Sequence, residues 1–229
     1  MKLAWGSALV ACIVTIALIG CGGGGGDSNT NVSSASFPLL SGYKAYVITG
    51  SNTNFTVSGA CTGTANLTSA PTTAATFEGV VGFSSADTAT INLTNCTPAS
   101  TAASSVEYYD TNYTPLGTST PGEEYAKFQT TPNPLPSSVK VGDAATFGTL
   151  TIYTDSTKTV STGTRVLSYV IEADTPSTAI VNLIAKDFDL ANQLTYTQQS
   201  RYRITTNGTL TAVSVDLQYS TTHLLLTKT

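Results

Sequence analysis

Charged residues are scarce in this sequence. Asp, Glu, Lys and Arg together make up 10% of its 229 residues, against about a quarter in an average soluble domain. The basic residues form no run, and the nearest approach to one is Arg201 with Arg203. Because the net charge is −4 and no basic patch is present, the sequence predicts no nucleic-acid partner and no electrostatic attraction to anionic lipid.

Histidine is almost absent, which restricts the enzymatic chemistry open to the chain. His223 is the only one, so any Ser–His or Cys–His catalytic pair would have to use it. It lies in a terminal strand pattern on the side opposite Leu224 and Leu226, as a surface histidine would. A zinc site built from one histidine would need several carboxylates. We therefore expect no metal, no other cofactor and no enzymatic activity.

Two short segments have a partial likeness to functional motifs. Residues 59–63 have the spacing of a hydrolase nucleophile elbow with Cys61 in the nucleophile position, but the residues that follow favour a strand where the elbow needs a helix. Asp187, Asp189 and Asn192 suggest a calcium loop that lacks its glycine and its closing glutamate. A disulfide and a hairpin turn are the simpler predictions for these two segments.

Paired carboxylates for glycosidic chemistry would have to come from separate strands that meet in a cleft. The sequence alone brings no two acidic residues together. The residues considered for this role are Glu78, Glu107, Glu172 and Asp174.

Long apolar runs are also missing. The stretch from Ala8 to Ile19 is too short to span a membrane and follows Lys2, which is typical of a secretory leader. It ends in Leu18-Ile19-Gly20-Cys21. This motif resembles the lipobox of bacterial lipoproteins. The resemblance implies that residues 1–20 are a signal peptide, that cleavage falls before Cys21, and that acyl chains are attached to Cys21.

Residues 21–36 predict a flexible tether. Gly22 to Gly26 form a glycine run, and Asp27 to Ser36 are polar and of low complexity, a composition typical of linkers. Two or more acyl chains make membrane attachment stable. By resemblance to Gram-negative lipoproteins, the absence of Asp after Cys21 indicates the outer membrane. The chain resembles the many envelope lipoproteins that carry a glycine run after the lipidated cysteine and have no assigned activity.

Four cysteines are present, and they have different fates. Cys12 would leave with the leader and Cys21 would take the lipid, which leaves Cys61 and Cys96 in the exported domain. An even pair in an oxidising compartment predicts a disulfide.

The remaining composition favours strands. Threonine is roughly one residue in five and is β-branched, while the good helix formers are scarce. We predict a single all-β domain over residues 37–229, made of antiparallel meander sheets in a sandwich or a curled half-barrel, with no helix. Tyr43 to Thr49 is predicted as the first strand, and residues 84–87 as a loop between two later strands.

The C-terminal half gives the clearest pattern, six consecutive strands joined by short connections. In Leu194 to Thr205, Tyr202 and Ile204 fall on one face and Arg201 and Arg203 on the other. In Leu210 to Tyr219, Val213, Val215, Leu217 and Tyr219 share a face. Asn207-Gly208 predicts a two-residue hairpin turn. The six predicted strands are Phe147 to Tyr153, Arg165 to Ala173, Ala179 to Leu190, Leu194 to Thr205, Leu210 to Tyr219 and Thr222 to Lys228.

The functional expectation is a membrane-anchored envelope lipoprotein with a non-enzymatic binding or structural role. Its partners would be the membrane, through the acyl chains on Cys21, and a protein, glycan or lipid ligand. Tyr108, Tyr109, Tyr113 and Tyr125 cluster in a Gly/Pro-rich segment and could serve recognition. The alternative is a periplasmic carrier of a lipid or other apolar ligand, because long meander strands can enclose an apolar lumen. A hydrolase is the least expected class.

Overall fold

The computed structural model describes residues 33–229, in which one helix precedes thirteen strands. The predicted signal peptide, the predicted lipidation site Cys21 and the predicted tether as far as residue 32 lie outside the described residues. The helix is α1 (Leu39–Thr49). The strands are β1 (Ser51–Gly59), β2 (Thr62–Ser69), β3 (Thr73–Phe77), β4 (Val80–Thr94), β5 (Ser100–Asp110), β6 (Pro115–Thr120), β7 (Glu124–Phe128), β8 (Ala144–Tyr153), β9 (Ser161–Thr175), β10 (Thr178–Asp189), β11 (Leu194–Thr205), β12 (Leu210–Tyr219) and β13 (His223–Lys228).

The strands form one antiparallel sheet that closes on itself. From β4 to β13 each strand pairs with the next, β13 pairs with β1, and β1 pairs with β2. β2 then pairs with the second half of β4, from Thr62 opposite Thr94 to Ser69 opposite Asp87, which closes a barrel of twelve strands. β3 pairs with the first half of β4 and extends beyond the closed ring. The all-β antiparallel prediction is confirmed, and the sheet closes fully where a sandwich or half-barrel was expected.

The six predicted C-terminal strands are confirmed as β8 to β13. In β11, Tyr202 and Ile204 point into the barrel, while Arg201 and Arg203 pair with acidic residues on the outer face. The turn between β11 and β12 differs from the prediction. It is a three-residue loop in which the Gly208 N–H donates to the Thr205 carbonyl at 2.9 Å, with Gly208 alone at positive φ (87°). A type I turn closed by a left-handed glycine gives this geometry.

A β-bulge in β12 corrects the predicted facing of one residue. Arg201 lies opposite Ser214 but Tyr202 lies opposite Ala212, so Val213 is the extra residue on β12. Beyond the bulge Val215 and Leu217 face the interior as predicted, whereas before it Ala212 takes the inward position that the alternation assigned to Val213. An extra residue shifts the side-chain alternation of everything on one side of it.

Helix α1 contradicts the prediction of a strand at Tyr43 to Thr49. It follows Pro38 and ends at Gly50, whose φ is 72°. Leu39 and Val47 are buried against the barrel. Gly42 lies so close to the β11–β12 turn that an added Cβ would be 2.4 Å from the Gly208 carbonyl oxygen. The helix therefore covers one end of the barrel, called here the helix end.

The last residues of the predicted tether also lie against the barrel. Ser33 is buried and its hydroxyl donates to the Pro176 carbonyl at 2.8 Å. Phe37 then forms a β-bridge with Val139, in the segment between β7 and β8. The chain is thus fixed to the helix end from Ser33 onward, slightly earlier than residue 37.

Strand β4 runs unbroken through the predicted loop at residues 84–87. The reversal occurs earlier, at Glu78 and Gly79, which both have positive φ (52° and 81°). This is the backbone that a tight hairpin between right-twisted strands requires. As a result Ser85 and Asp87 continue the inward face of the strand, which goes on through Ala89, Ile91 and Leu93.

The opposite end of the barrel is filled by apolar side chains and held by the predicted disulfide. Cys61 and Cys96 are bonded, with Cα atoms 5.9 Å apart, which confirms the prediction. The bond joins the β1–β2 connection to the β4–β5 connection at what is called here the disulfide end. The apolar cluster of this end includes Phe55, Leu93, Leu217, Leu224 and Leu226. A second cluster lies under the helix end and includes Phe37, Leu39, Ile171 and Ile204.

Candidate functional site

A cavity of about 210 Å³ lies inside the barrel between the two apolar clusters. Its roof is α1, which contributes Tyr43, Tyr46 and Val47. Most of its wall is apolar and comes from strands all around the ring, including Phe55, Leu67, Phe128, Leu150, Leu183 and Val215. Closed barrels of moderate strand number leave room for a small molecule when their inward side chains do not meet in the middle.

Two carboxylates interrupt the apolar wall. Asp87 on β4 lies opposite Ser105 of β5, and Glu107 of β5 lies opposite Ser85. The two acids are therefore diagonal neighbours on the inward face of two paired strands, within reach of each other. Both line the cavity, so the accessible surface that they retain faces the cavity.

The environment favours the protonated form of both carboxyls. Burial raises the pKa of Asp87 to about 6, against a smaller opposing effect from a hydrogen bond with Ser69. Burial and the neighbouring Asp87 charge raise the pKa of Glu107 to about 8, again opposed by a hydrogen bond with Tyr109. Near neutral pH the pair therefore holds about one proton and one negative charge.

Four tyrosines surround this acid pair. The Tyr109 hydroxyl donates to the Glu107 carboxylate, and the rings of Tyr43 and Tyr109 meet edge to face with centroids 6.4 Å apart. Tyr46 donates to the Ser51 hydroxyl at 3.0 Å and its ring meets that of Tyr202 at 5.2 Å. Burial raises the pKa of each of these phenols above its ordinary value, so all four stay neutral and keep their hydroxyl protons.

The acid pair and tyrosines give the cavity a defined chemistry. With one carboxyl protonated and the other ionised, the pair can accept a hydrogen bond, donate one, or hold a cation. Carboxyl groups with raised pKa values are more frequent at functional sites than elsewhere, where they serve as binding groups or as general acids and bases. The rest of the wall offers an apolar ligand a place out of water.

The other acids considered from the sequence lie on the outer surface. Glu78 accepts bonds from Lys127 and Lys158 at 2.8 and 2.6 Å, and these cations lower its pKa to about 2. Glu172 pairs with Arg201, and Asp174 with Arg203. Of the four candidates, only Glu107 faces the interior.

A second acid pair lies in the interior, and it has its own cation. The Arg165 guanidinium donates to Asp187 at 2.7 and 2.6 Å and to Glu124 at 2.9 and 3.2 Å. The Arg165 side chain is only 3% exposed. Its charge is fully matched by its partners in a bidentate geometry, as a buried guanidinium requires.

The motif-like segments have structural roles. Cys61 is held in the disulfide, so it is not a free nucleophile. Asp189 accepts hydrogen bonds from the backbone N–H groups of Ala191 and Gln193, so it stabilises the β10–β11 hairpin turn. His223 is half exposed and pairs with Asp216 at 3.0 Å.

The four tyrosines singled out from the sequence divide between the two faces of the sheet. Tyr109 belongs to the interior cluster, and Tyr113 stacks on Phe83 at 4.8 Å. Tyr108 and Tyr125 lie outside, where both stack on Phe77 of β3. The cavity tyrosines that the sequence reasoning did not connect with a site are Tyr43, Tyr46 and Tyr202.

Comparison with known proteins gives no assignment: no family model, no curated protein and no solved structure matches the chain. In residues 33–229 no group of three or more His, Cys, Asp or Glu side chains could hold a metal ion. Within the same residues, no helix has the length and apolar character needed to cross a membrane.

Proposed function

We propose that the protein is a membrane-tethered binding protein of the cell envelope that holds a small, largely apolar ligand inside its barrel. The observation that carries this proposal is the cavity of about 210 Å³ with its mainly apolar wall. A cavity of this kind lowers the free energy of unfolding. A purely structural role therefore gives no reason for it, whereas a binding role does.

The predicted tether and the cavity are both features that a membrane-tethered binding protein needs. The lipobox ending in Cys21 supports attachment to a membrane, with the outer membrane as the proposed site. The chain reaches the folded domain at Ser33, on the helix end, so eleven residues separate Cys21 from the folded domain. This arrangement keeps the binding domain near a membrane surface.

Binding is tested with the uncharged fluorescent dye phenylnaphthylamine and a variant in which the cavity is filled. Ala212 lines the cavity, and Ala212→Phe is expected to abolish the saturable rise in dye fluorescence that the wild type gives. Ala102 lies on the outer face of β5 and is exposed, so Ala102→Phe serves as the matched control and should bind like the wild type. No saturable binding to the wild type, or equal binding to both variants, contradicts the proposal.

The anchor is tested separately by the mass of the protein extracted from membranes. We expect a chain that begins at Cys21 and carries acyl groups, and a Cys21→Ser variant that remains unprocessed. A soluble chain without acyl groups, or normal processing of the Cys21→Ser variant, would refute the membrane anchor. The binding site is tested independently of the anchor by the dye titration.

A further inference from the structure

We propose that the ligand of the interior cavity carries a protonated amine, which Asp87 and Glu107 hold beside the tyrosine rings. This inference rests on the proposed function and specifies its ligand class. It starts from a contrast between the two acid pairs inside the barrel.

The Glu124–Asp187 pair shows what an interior acid pair needs. Arg165 lies between its two carboxylates and makes four bonds of 2.6 to 3.2 Å with them. The Asp87–Glu107 pair has no such cationic partner. The groups that act on its two carboxyls are each other, Ser69 and Tyr109.

No cation of the described residues serves this second pair. The groups that face the Asp87 and Glu107 carboxyls are Tyr43 and Tyr46 on α1, Ser69 on β2, Tyr109 on β5 and Tyr202 on β11. All are neutral hydroxyls. Arg201 is the one basic residue among those that line the cavity, and its guanidinium is held by Glu172 and Gln199 on the outer face. Arg165 is bound by its own acids.

What distinguishes the Asp87–Glu107 pair is that it faces open space. Its carboxyls line the cavity, so a bound molecule can bring the cation that the protein does not supply. An ammonium group there would pair with the carboxylates and meet the faces of the surrounding tyrosine rings, both of which attract cations. The apolar wall would then receive the rest of the ligand.

The same arrangement discriminates between ligand classes. A neutral alcohol can bond to the pair but leaves its charge uncompensated, and a carboxylate adds a like charge in a poorly solvated space. Repulsion of this kind is an effective source of specificity. The inferred order of affinity is therefore amine, then alcohol, then carboxylate.

Binding of an amine should also be linked to protonation. A bound ammonium favours the ionised carboxylates, so it lowers the pKa values of Asp87 and Glu107 from about 6 and about 8. Near neutral pH, binding then releases a proton from the pair to the buffer. Affinity for the amine accordingly falls as the pH is lowered from 8 to 5.

The test compares octylamine, octanol and octanoate, which share one apolar chain, by calorimetric titration of the wild-type protein. At pH 8 we expect octylamine to bind about tenfold or more tighter than octanol, the ratio that one added charge-assisted bond gives, and octanoate to bind most weakly. Titrations in two buffers of different ionisation enthalpy should show proton release with octylamine and none with octanol.

Two variants complete the design. Asp87→Asn with Glu107→Gln should bind octylamine and octanol equally and release no proton. Glu123→Gln, which removes an acid at an exposed position, should keep the wild-type preference. Equal binding of octylamine and octanol to the wild type, or tighter binding of octanoate, overturns the amine inference and leaves the proposed function standing. Absence of binding by all three compounds and by the dye overturns both.

Discussion

At the scale of single residues, the interior carboxyl of Glu107 makes the stability of the protein depend on pH. Glu107 has a pKa raised to about 8 by burial, whereas in the unfolded chain it ionises near its ordinary value of about 4.3. The folded state therefore binds more protons than the unfolded state between these two values. Ionisation of the Glu107 carboxyl therefore lowers the free energy of unfolding as the pH rises between these two pKa values.

Glu107→Gln removes this pH dependence. We expect the variant to be more stable than the wild type at pH 8 by roughly 1 to 3 kcal/mol and little changed below pH 5, because only the ionised carboxylate is unfavourable in the barrel. Urea unfolding at a series of pH values measures this. Glu123→Gln, at an exposed position, is the control and should follow the wild type. A Glu107→Gln variant that is less stable at pH 8 would show that the carboxylate is well solvated.

Arg165 presents the opposite case of a buried charge whose partners are all in place. Arg165→Met leaves Glu124 and Asp187 facing each other without a cation, which should cost roughly 3 to 5 kcal/mol of unfolding free energy. Arg203→Met breaks the more exposed pair with Asp174 and should cost less than about 1 kcal/mol. Equal losses in chemical denaturation of the two variants would contradict the burial of the Arg165 cluster.

At the scale of elements, the disulfide joins two hairpin connections that are distant in sequence. Cys61 and Cys96 are separated by 35 positions, so their bond restricts a long loop of the unfolded chain. Replacing both by Ala should lower the unfolding free energy by roughly 3 kcal/mol. Thermal unfolding of the double variant beside the reduced wild type checks this, and the two should agree. Two thiols free to an alkylating reagent in the denatured, unreduced wild type would disprove the bond.

The elements also show where sequence reasoning succeeded. The strands from β8 to β13 could be predicted because each has one face in the barrel and one in solvent. Apolar and polar residues therefore alternate along each of these strands. Arg201 and Arg203 lie outside for the reason that the alternation predicted. The disulfide followed from having two cysteines left for an oxidising compartment.

The failures have local causes that only the fold reveals. Tyr43 to Thr49 is rich in β-branched and aromatic residues, but this segment becomes helical because it packs across the barrel end. The Val213 bulge adds a residue that the alternation could not show. Residues 84–87 resemble a turn by composition, whereas Glu78-Gly79 makes the actual one. The sequence places Asp87 in that predicted loop, so it gives no sign of the pairing of Asp87 with Glu107 across β4 and β5.

At the scale of the whole molecule, the site exists only because the sheet closes. The four cavity tyrosines come from α1, β5 and β11, and the acid pair from β4 and β5. β11 is far from β4 and β5 in sheet order, so these residues meet only across the lumen. A sandwich or an open half-barrel, the alternatives that the sequence left, would not have brought them together.

The closed barrel also separates an outer and an inner surface of different chemistry. The outer face carries most of the ion pairs and the Thr and Asn side chains that replace charge in this composition, such as Asn66 bonded to Asn52 and Asn54 at 2.8 Å. The inner face carries the apolar wall and the acid pair. Under the proposed function, ligand specificity depends on the inner face, and the outer face can vary without changing it.

The central claim, that an apolar ligand occupies the barrel interior, is tested most directly by nuclear magnetic resonance of ring-labelled tyrosines during titration with octanol. The ring signals of Tyr43, Tyr46, Tyr109 and Tyr202 are predicted to shift together and to saturate, because these rings surround the cavity. The signal of Tyr153, which lies opposite Tyr125 on the outer face, should not move. Shifts confined to outer tyrosines such as Tyr153, or no saturable shift at all, would contradict the claim.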